Sequence, residues 1–275
     1  MLKLGLIGYP VNHSLSPWIH QQFMKKANIT GTYKLYEIKE NQFSTKIEKI
    51  MDKLQGFNVT LPYKQKIIPY LDRLDESAKL SCAVNTVVKK NEKWIGYNTD
   101  GIGYVKSLFK AFPTLNNKDI KVLILGAGGA ARGIYYALLL HGITSIDLAN
   151  RTKEKAKDII KQSSITSNVY SLTEIEQNLG HYDLIIQTTS VGMKPKEKDC
   201  IISIRQLKEH TIVSDIVYQP LMTKFLTLAL KEGARIHQGH TMLLYQALYA
   251  FEIWTNKKLS TYNLEQKLEE KLKGS

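Results

Sequence analysis

The chain has 275 residues, of which 43% are hydrophobic and 23% are charged, a composition typical of a globular protein. This length allows two domains or one large α/β domain. No apolar run approaches the roughly 18 residues of a membrane span, and the N-terminus lacks a secretory signal pattern. We therefore predict a cytoplasmic protein with no membrane partner.

The formal net charge is +13, but the lysines are dispersed among acidic residues, as in "KEKAKDIIK". This pattern disfavours nucleic acid as a partner, and steeply salt-dependent binding of DNA or RNA is needed to support that class. A positive field instead suits a small anionic substrate and a phosphate-rich cofactor. Cys82 and Cys200 are far apart and lack CxxC or His-rich neighbours, so we predict no disulfide framework and no metal site.

The first third of the chain alternates strands and helices, in the order "KLGLIG", "PWIHQQFMKKA", "TYKLYEI", "FSTKIEKIMDKL" and "GFNVTL". This alternation predicts βαβ units and a mainly parallel sheet. A hairpin that turns near Asn91 and an amphipathic helix, "GIGYVKSLFKAF", follow. The segment "PTLNNK", near Pro113, is the candidate linker to a second part of the chain.

A second βαβ series begins at "IKVLILG" and continues through "AARGIYYALLLHGI", "SIDLANR", "YDLIIQTT", "TIVSDIVY" and "TKFLTLALKEGA". The last two predicted helices are "TMLLYQALYAFEIWTN" and "LSTYNLEQKLEEKLK". A minimal nucleotide-binding domain does not contain these two additional helices. We therefore expect the chain to cross back and cover the first domain.

A glycine-rich loop joins a hydrophobic strand to a helix in "VLILGAGGAARG". Gly126, Gly128 and Ala131 match the pattern G-x-G-x-x-A, in which the first glycine makes a tight turn and the second admits a pyrophosphate. The following helix presents the positive end of its dipole to the phosphates. The pattern predicts a dinucleotide site, and the alternative is a tight turn without a ligand.

The end of the next strand indicates which dinucleotide is bound. NAD requires an acid there for the ribose 2′-hydroxyl, but the candidate, Asp147, lies before the strand has finished. The strand instead ends in Asn150, Arg151 and Thr152, followed by Lys153 and Lys155. An arginine fork, a hydroxyl and an ammonium suit a 2′-phosphate, which favours NADP. The alternative is a surface helix capped by Thr152.

Four segments of the first domain combine polar side chains with strand ends or tight turns: "NHSLSP", "NVTLPYK", "AVNT" and "GYNTDGIG". Ligands of parallel sheets bind outside the carboxyl ends of the strands, and two of the segments directly follow such strands. Together they supply hydroxyls, amides, one ammonium and one carboxylate, which suit a small polyhydroxylated ligand.

Each of these polar residues also has a structural alternative. Ser16, before a proline, can cap a helix, and Asp100 can cap the next one. Asn85 and Asn98 can be turn residues that bond their own backbone. Lys64 can be a solvated surface cation. The joint placement of the residues favours a ligand site.

The sequence resembles the shikimate dehydrogenases over nearly its whole length. The matching segments occur in the order of that family and are "HSLSP", "FNVTLPYK", "AVNT", "GYNTDGIG", "GAGGAARG", "NRT", "TTSVGM", "SDIVYQP" and "GHTMLLYQA". The resemblance implies reversible NADPH-dependent reduction of 3-dehydroshikimate to shikimate in chorismate biosynthesis. It also implies a discontinuous substrate-binding catalytic domain, residues 1–101 and 241–275, and a Rossmann-type NADP-binding domain, residues 102–240. We expect a monomer or a homodimer.

The resemblance also assigns roles to residues. The implied catalytic pair is Lys64 and Asp100, and the other implied substrate contacts are Ser14, Ser16, Asn58, Thr60, Asn85, Tyr218 and Gln246. The implied cofactor contacts are Gly126, Ala127, Gly128, Gly129 and Ala130 for the pyrophosphate, Asn150, Arg151 and Thr152 for the adenosine phosphate, Ile216 and Gly239 for the nicotinamide, and Glu76 near the cofactor. To these the charge pattern after the strand adds Lys155.

Two positions depart from the family pattern. Cys82 stands where the family usually has glycine, and Gln187 stands where it commonly has asparagine, which puts details of the cofactor pocket in doubt. Two other functions stay open: a quinate/shikimate dehydrogenase of broader specificity, and a regulatory NADP-binding module without turnover. Intact Lys64 and Asp100 argue against the second.

Overall fold

The structure, a computed structural model, describes residues 1–116, 119–161, 163 and 165–274. Asn117 and Lys118 of the predicted linker, and Ser275 of the predicted first domain, lie outside the described residues. The strands are β1 (Leu2–Gly8), β2 (Gly31–Glu37), β3 (Gly56–Val59), β4 (Arg73–Leu74), β5 (Thr86–Lys90), β6 (Lys93–Tyr97), β7 (Lys121–Leu125), β8 (Ser145–Ala149), β9 (Val169–Tyr170), β10 (Leu184–Gln187), β11 (Ile212–Asp215) and β12 (Arg235–His237).

The helices follow the strands in alternation over most of the chain. They are α1 (Ser16–Ala27), α2 (Phe43–Met51), α3 (Glu76–Ser81), α4 (Asp100–Ala111), α5 (Gly129–Leu140), α6 (Lys153–Ile160), α7 (Leu172–Glu176), α8 (Lys224–Lys231), α9 (His240–Thr255) and α10 (Leu264–Lys273). Among the described helices, none is both long enough and apolar enough to span a lipid bilayer.

The strands form two sheets within the described residues. The first has the order β2-β1-β3-β5-β6-β4. Strand β1 is parallel to β2 and β3, and β5 is antiparallel to both of its neighbours, β3 and β6. Because β5 runs backwards, its first residue lies beside the carboxyl end of β3, and β6 returns to that same edge. The polar segments after β1, β3 and β6 and before β5 therefore meet at one edge.

The second sheet has the order β12-β11-β10-β7-β8-β9, with every neighbouring pair parallel. Its strand order reverses between β7 and β10, which is the switch point where a Rossmann fold binds a dinucleotide. Helices cover both faces, as a parallel sheet requires. The predicted α/β fold with a Rossmann-type domain is confirmed.

The predicted elements are present, but several are shorter than their sequence patterns. The predicted helix "FSTKIEKIMDKL" ends at Met51, and the predicted strand "GFNVTL" ends at Val59, before the proline. The hairpin turns where expected, because Asn91 and Glu92 both adopt the left-handed φ that a tight two-residue turn requires. The short elements β4, β9, β12, α3 and α7 were not predicted.

The C-terminal helices return to the first sheet, as predicted. Leu244, Phe251 and Leu268 from α9 and α10 share one buried core with Leu4 of β1 and Phe23 of α1. This core covers one face of the sheet, and a second core under α2 covers the other face. The two helices therefore complete the domain that carries the polar edge.

Helix α4 links the two sheets and is held by two unusually close crossings. Its apolar residues, including Tyr104 and Leu108, belong to the core of the Rossmann domain. A side chain at Gly101 would overlap the backbone carbonyl of Gly133 in α5, and one at Gly103 would lie 2.5 Å from the backbone nitrogen of Gln246 in α9. Glycine at both positions thus allows three helix backbones to meet. The predicted division at residues 101 and 102 falls inside this helix and stays a prediction.

We expect Gly101→Ala to lower the free energy of unfolding by roughly 1–3 kcal/mol, because the added methyl meets backbone that cannot rotate away. Gly133→Ala is the matched control, since its methyl would lie 3.6 Å from the nearest atom, the side-chain oxygen of Asn98. That change should be neutral or stabilise α5 by up to about 1 kcal/mol. Urea unfolding of both variants measures the difference, and equal stabilities would contradict the close crossing.

Candidate active site

Lys64 and Asp100 form an ion pair at the polar edge of the first sheet. The ammonium nitrogen Nζ lies 2.6 Å from Asp100 Oδ2, with side chains 24% and 12% exposed. Tyr63 is fully buried and stacks on Phe43, and the Lys64 carbonyl accepts a hydrogen bond from the Val84 amide at 2.8 Å. The backbone beneath Lys64 is therefore fixed, and the interpretation of Lys64 as a free surface cation is wrong.

The side chain of Asn85 holds Asp100 from the opposite side. Its Nδ2 donates to Asp100 Oδ1 at 2.8 Å and to Thr99 Oγ1 at 3.0 Å, and its Oδ1 accepts from the Thr99 amide at 2.8 Å. Both carboxylate oxygens of Asp100 are thus bonded, so Asp100 does not cap α4 through its side chain. Asn85 serves the site, whereas Asn98 accepts from the backbone amide of Asp100 and is a turn residue.

Asn58 extends this network toward α1. Its Nδ2 donates to the Asn85 carbonyl and to Thr86 Oγ1, each at 3.0 Å, and its Oδ1 accepts from the Tyr33 hydroxyl at 2.8 Å. Tyr33 stacks on His20, which is fully buried, and burial lowers the pKa of His20 to about 3. The orientation of the Asn58 amide is therefore set by neutral groups, and Tyr33 is a contact that the sequence did not indicate.

The remaining polar residues of the first domain lie on loops at this edge. Ser14 Oγ and Ser16 Oγ are 3.1 Å apart where the loop after β1 enters α1. The residue before α1 is Leu15, which makes no side-chain cap, so the interpretation of Ser16 as the cap is wrong. Thr60 lies one residue beyond β3 and is half-buried.

Two of the predicted substrate contacts come from distant parts of the chain. Gln246, on α9, lies with its Oε1 3.4 Å from Nδ2 of Asn85. Tyr218 follows β11 of the Rossmann domain but packs against the core of the first domain, and burial raises the pKa of its hydroxyl. Gln246 therefore reaches the network around the ion pair, and Tyr218 brings a residue that follows the Rossmann sheet into contact with the first domain.

The glycine loop has the geometry of a phosphate site. Gly126 has φ of 111°, and a side chain there would lie 2.6 Å from Thr188 Oγ1. Gly128 and Gly129, at the start of α5, face open space. No side chain caps this helix, and its first turn carries no acid. Its first backbone N–H groups are thus available for a pyrophosphate, and Ala127 and Ala130 complete the loop without bulky side chains.

The end of β8 carries the residues that were predicted to bind a 2′-phosphate. Asp147 is buried inside the strand, where it accepts from the Asn168 amide at 2.9 Å and from the Tyr182 hydroxyl at 2.9 Å, so it is not free for a ribose. Arg151 is exposed directly after Asn150, and within the described part of the chain it forms no ion pair. Asn150 donates to the carbonyl of Thr152 at 2.8 Å, which folds the turn.

Thr152 precedes α6 but makes no side-chain hydrogen bond to it, so it is not the cap that the alternative interpretation required. Lys155 is exposed on the first turn of α6, next to the same turn. The polar groups predicted for the adenosine phosphate therefore lie together at the carboxyl end of β8.

The predicted nicotinamide contacts lie at the other half of the same sheet. Ile216 follows β11, and a side chain at Gly239 would overlap the Ile216 carbonyl, so the two backbones touch. Glu76 is the exposed first residue of α3, and α3 contacts α5, the helix that follows the glycine loop. The described residues contain no cluster of His, Cys, Asp or Glu able to hold a metal ion.

The sequence patterns did not assign a role to Gln187 and Asp215, which end β10 and β11. Both side chains are fully buried, and Gln187 Nε2 lies 3.2 Å from Asp215 Oδ1. Burial raises the pKa of Asp215 to about 6, and backbone and hydroxyl donors partly offset this rise. The available signals were two polar residues at the ends of mostly apolar strands and the departure of Gln187 from the family pattern.

A Rossmann domain with an open glycine loop, beside a second domain that carries a Lys–Asp pair, defines a two-domain dinucleotide-dependent oxidoreductase. Three family models match this chain. They are the shikimate dehydrogenase substrate binding domain at residues 6–87, shikimate/quinate 5-dehydrogenase at residues 108–218, and the shikimate 5′-dehydrogenase C-terminal domain at residues 239–261.

Similar proteins agree with these models. The chain is 51% identical to the shikimate dehydrogenase (NADP(+)) of Oceanobacillus iheyensis, over 99% of both chains. A crystal structure of a shikimate dehydrogenase in complex with NADP+ superposes with a TM-score of 0.90 at 34% identity, covering 99% of this chain and 96% of the other.

The shikimate 5-dehydrogenase of Thermus thermophilus, solved with NADP(H) and shikimate, gives a TM-score of 0.87 at 27% identity, covering 98% and 99%. The chain belongs to the shikimate dehydrogenase family.

Proposed function

We propose that this protein is an NADP-dependent shikimate dehydrogenase, which catalyses the reversible reduction of 3-dehydroshikimate to shikimate. The observation that carries the proposal is the ion pair between Lys64 and Asp100, 2.6 Å apart and held by Asn85 at the polar edge. The likeness to NADP-dependent relatives over nearly the whole chain supports the cofactor and the substrate.

The substrate is expected to contact hydroxyl and amide groups that converge on one edge. The candidates are Ser14, Ser16, Asn58, Thr60, Asn85, Tyr218 and Gln246. Several hydrogen bonds aimed from fixed positions suit a ring with several hydroxyls, because each missing partner leaves a buried polar group unpaired. The dispersed positive charge attracts the carboxylate of such a substrate.

The dinucleotide is expected to bind across the switch point between β7 and β10. Gly126 to Ala130 offer backbone N–H groups to its pyrophosphate, and Asn150, Arg151, Thr152 and Lys155 face the adenosine phosphate. Ile216 and Gly239 are the candidates on the nicotinamide side, and Glu76 is a further one near the cofactor. When bound, the cofactor supplies the hydride.

Lys64 is expected to handle the proton. Its ammonium can donate to the oxygen that gains negative charge as the carbonyl is reduced, and it stabilises that charge before the proton moves. Asp100 orients the ammonium toward the substrate edge, and in the reduction direction Lys64 serves as the acid. In the reverse direction the pair accepts the proton from the hydroxyl.

The alternatives are weaker. A regulatory NADP-binding module has no need for an ion pair that a buried asparagine, Asn85, holds in place at a candidate ligand edge. The cytoplasmic location, the monomeric or homodimeric state and the domain limits of 1–101 with 241–275 and 102–240 stay predictions. Tolerance of quinate stays open on the residues alone, and the assay below includes it.

The proposal predicts that the purified protein reduces NADP+ with shikimate, measured as the rise in absorbance of NADPH. The rate should be far higher than with NAD+ because of the groups after β8, and higher than with quinate. Comparable rates with quinate would move the assignment to the broader quinate/shikimate activity. No turnover with either acid would overturn the proposal.

We expect Lys64→Ala to lower kcat by roughly 10²–10⁴-fold with a much smaller change in KM, because the proton and the charge stabilisation act in the transition state. Lys66→Ala is the matched control, since Lys66 lies two residues later and pairs with Glu40 at the surface. It should leave kcat unchanged. A loss confined to KM in the Lys64 variant would contradict the role as proton donor.

We expect Arg151→Leu to raise the KM for NADPH by roughly 10-fold to 100-fold and to leave the KM for NADH nearly unchanged, because a charge-assisted pair is lost only with the 2′-phosphate. Arg205→Leu is the matched control, because it removes the same charge from an exposed position in the segment before β11. Its KM values for NADPH and NADH should equal those of the wild type. An unchanged ratio between the two cofactors in the Arg151 variant would refute the phosphate assignment.

A further inference from the structure

The last residues of β10 and β11 form a buried polar cluster at the carboxyl end of the Rossmann sheet. Gln187 and Asp215 are direct neighbours in the register of these two parallel strands. Both side chains are 0% exposed. The rest of both strands is apolar apart from Ser214, so this pair stands at the boundary between the core and the ligand edge.

The Gln187 side chain fastens the loop that follows β10. Its Oε1 accepts from the backbone amide of Thr189, and its Nε2 donates to the Val191 carbonyl at 3.0 Å. The same Nε2 donates to Asp215 Oδ1 at 3.2 Å, and the backbone carbonyl of Gln187 accepts from the Ile216 amide at 3.1 Å. One residue thus contacts both loops that leave the centre of the sheet.

Asp215 fastens the segment that follows β11. Its Oδ1 accepts from the Val217 amide at 2.9 Å, and its Oδ2 accepts from the Thr223 hydroxyl at 2.7 Å. Thr223 is itself buried and caps α8 through the Leu226 amide. The segment from Ile216 to Tyr218 is therefore held from its strand, from the neighbouring loop and from the start of α8.

Burial of the Asp215 carboxylate costs free energy that a purely structural position does not require. No cation pairs with Asp215 among the residues that the structure describes, so three neutral donors alone offset its burial. Burial raises its pKa to about 6, in agreement with this environment. Two apolar side chains would pack at the same strand ends without burying a charge. They would, however, leave the loops after β10 and β11 without the hydrogen bonds that hold them.

The two anchored loops flank the place where the second half of a dinucleotide lies. In a Rossmann fold the glycine loop after the first strand takes the pyrophosphate, and the two halves of the sheet take one nucleotide each. The half formed by β10, β11 and β12 is therefore expected to face the nicotinamide, and Ile216, Val217 and Tyr218 follow Asp215 on that side. Gly126 of the glycine loop touches Thr188 and Thr189 of the other loop.

We propose that Gln187 and Asp215 are positioning residues that hold residues 188–191 and 216–218 together around the nicotinamide end of the bound dinucleotide. The proposal rests on the proposed function only through the identity of the cofactor. One side chain, Gln187, reaches Thr189, Val191 and Asp215. Asparagine is one methylene shorter, so in this chain we expect it to reach fewer of these three partners.

The test is Gln187→Met, which keeps the side-chain length and removes the hydrogen bonds. Titration by NADPH fluorescence should show a dissociation constant raised roughly tenfold. The reason is that residues 188–191 and 216–218 lose their anchor and must be ordered again when NADPH binds. The KM for NADPH should rise in parallel, with a smaller change in kcat. The matched control is Thr211→Val, which removes a buried hydroxyl bonded to two carbonyls at the opposite end of β11.

Thr211→Val should lower the melting temperature as much as Gln187→Met does but leave NADPH binding unchanged. If the two variants lose stability equally and both bind NADPH like the wild type, Gln187 is only structural and the proposal is overturned. If Gln187→Met does not fold, Gln187→Asn takes its place, with the same increase in dissociation constant expected and wild-type binding as the contradicting result.

The binding measurement separates this inference from the proposed function. Wild-type protein that binds NADPH but does not oxidise shikimate would refute the substrate assignment, and the fluorescence titration of the variants would still decide the role of Gln187. Wild-type protein that turns over shikimate while Gln187→Met binds NADPH normally would refute the positioning role alone.

Discussion

The close approach of α4 to α5 and α9 is the constraint on which the site depends. Asp100 is the first residue of α4, and the glycines at 101 and 103 allow that end of the helix to touch the backbone of both neighbours. Helix α5 begins at the glycine loop, and α9 carries Gln246. One helix end thus fixes the distance between the ion pair, the glycine loop and a proposed substrate contact, because packed backbones at van der Waals separation leave little freedom.

Around this crossing, the polar network behaves as one unit. A continuous path of hydrogen bonds runs from Tyr33 through Asn58, Asn85 and Asp100 to Lys64. Most of its members are buried amides and hydroxyls, which are costly to leave unpaired and therefore hold one another in a single arrangement. Such an arrangement is what charge stabilisation in a transition state requires, because the groups do not need to reorganise during the reaction.

The Rossmann domain uses polar strand ends in a similar way. Gln187 and Asp215 anchor the loops after β10 and β11, as Asn58 and Asn85 anchor the loops of the first sheet. In both domains a buried side-chain amide near the end of a strand fixes backbone at an edge where we propose that a ligand binds. The apolar strands supply stability, and the polar residues at their ends set the positions of the groups that bind.

The sequence by itself determined the fold class, the glycine loop and the preference for NADP, because these follow from local spacing of apolar, glycine and charged residues. The roles of most candidate site residues came instead from the resemblance to the shikimate dehydrogenases. The sequence did not determine the ends of α2 and β3, since packing and loop contacts override periodicity there. Only the tertiary structure brought Gln246 to Asn85 and revealed the contacts of Tyr33 and of Gln187 with Asp215. These pairs depend on strand register and helix crossing, which no local pattern of residues encodes.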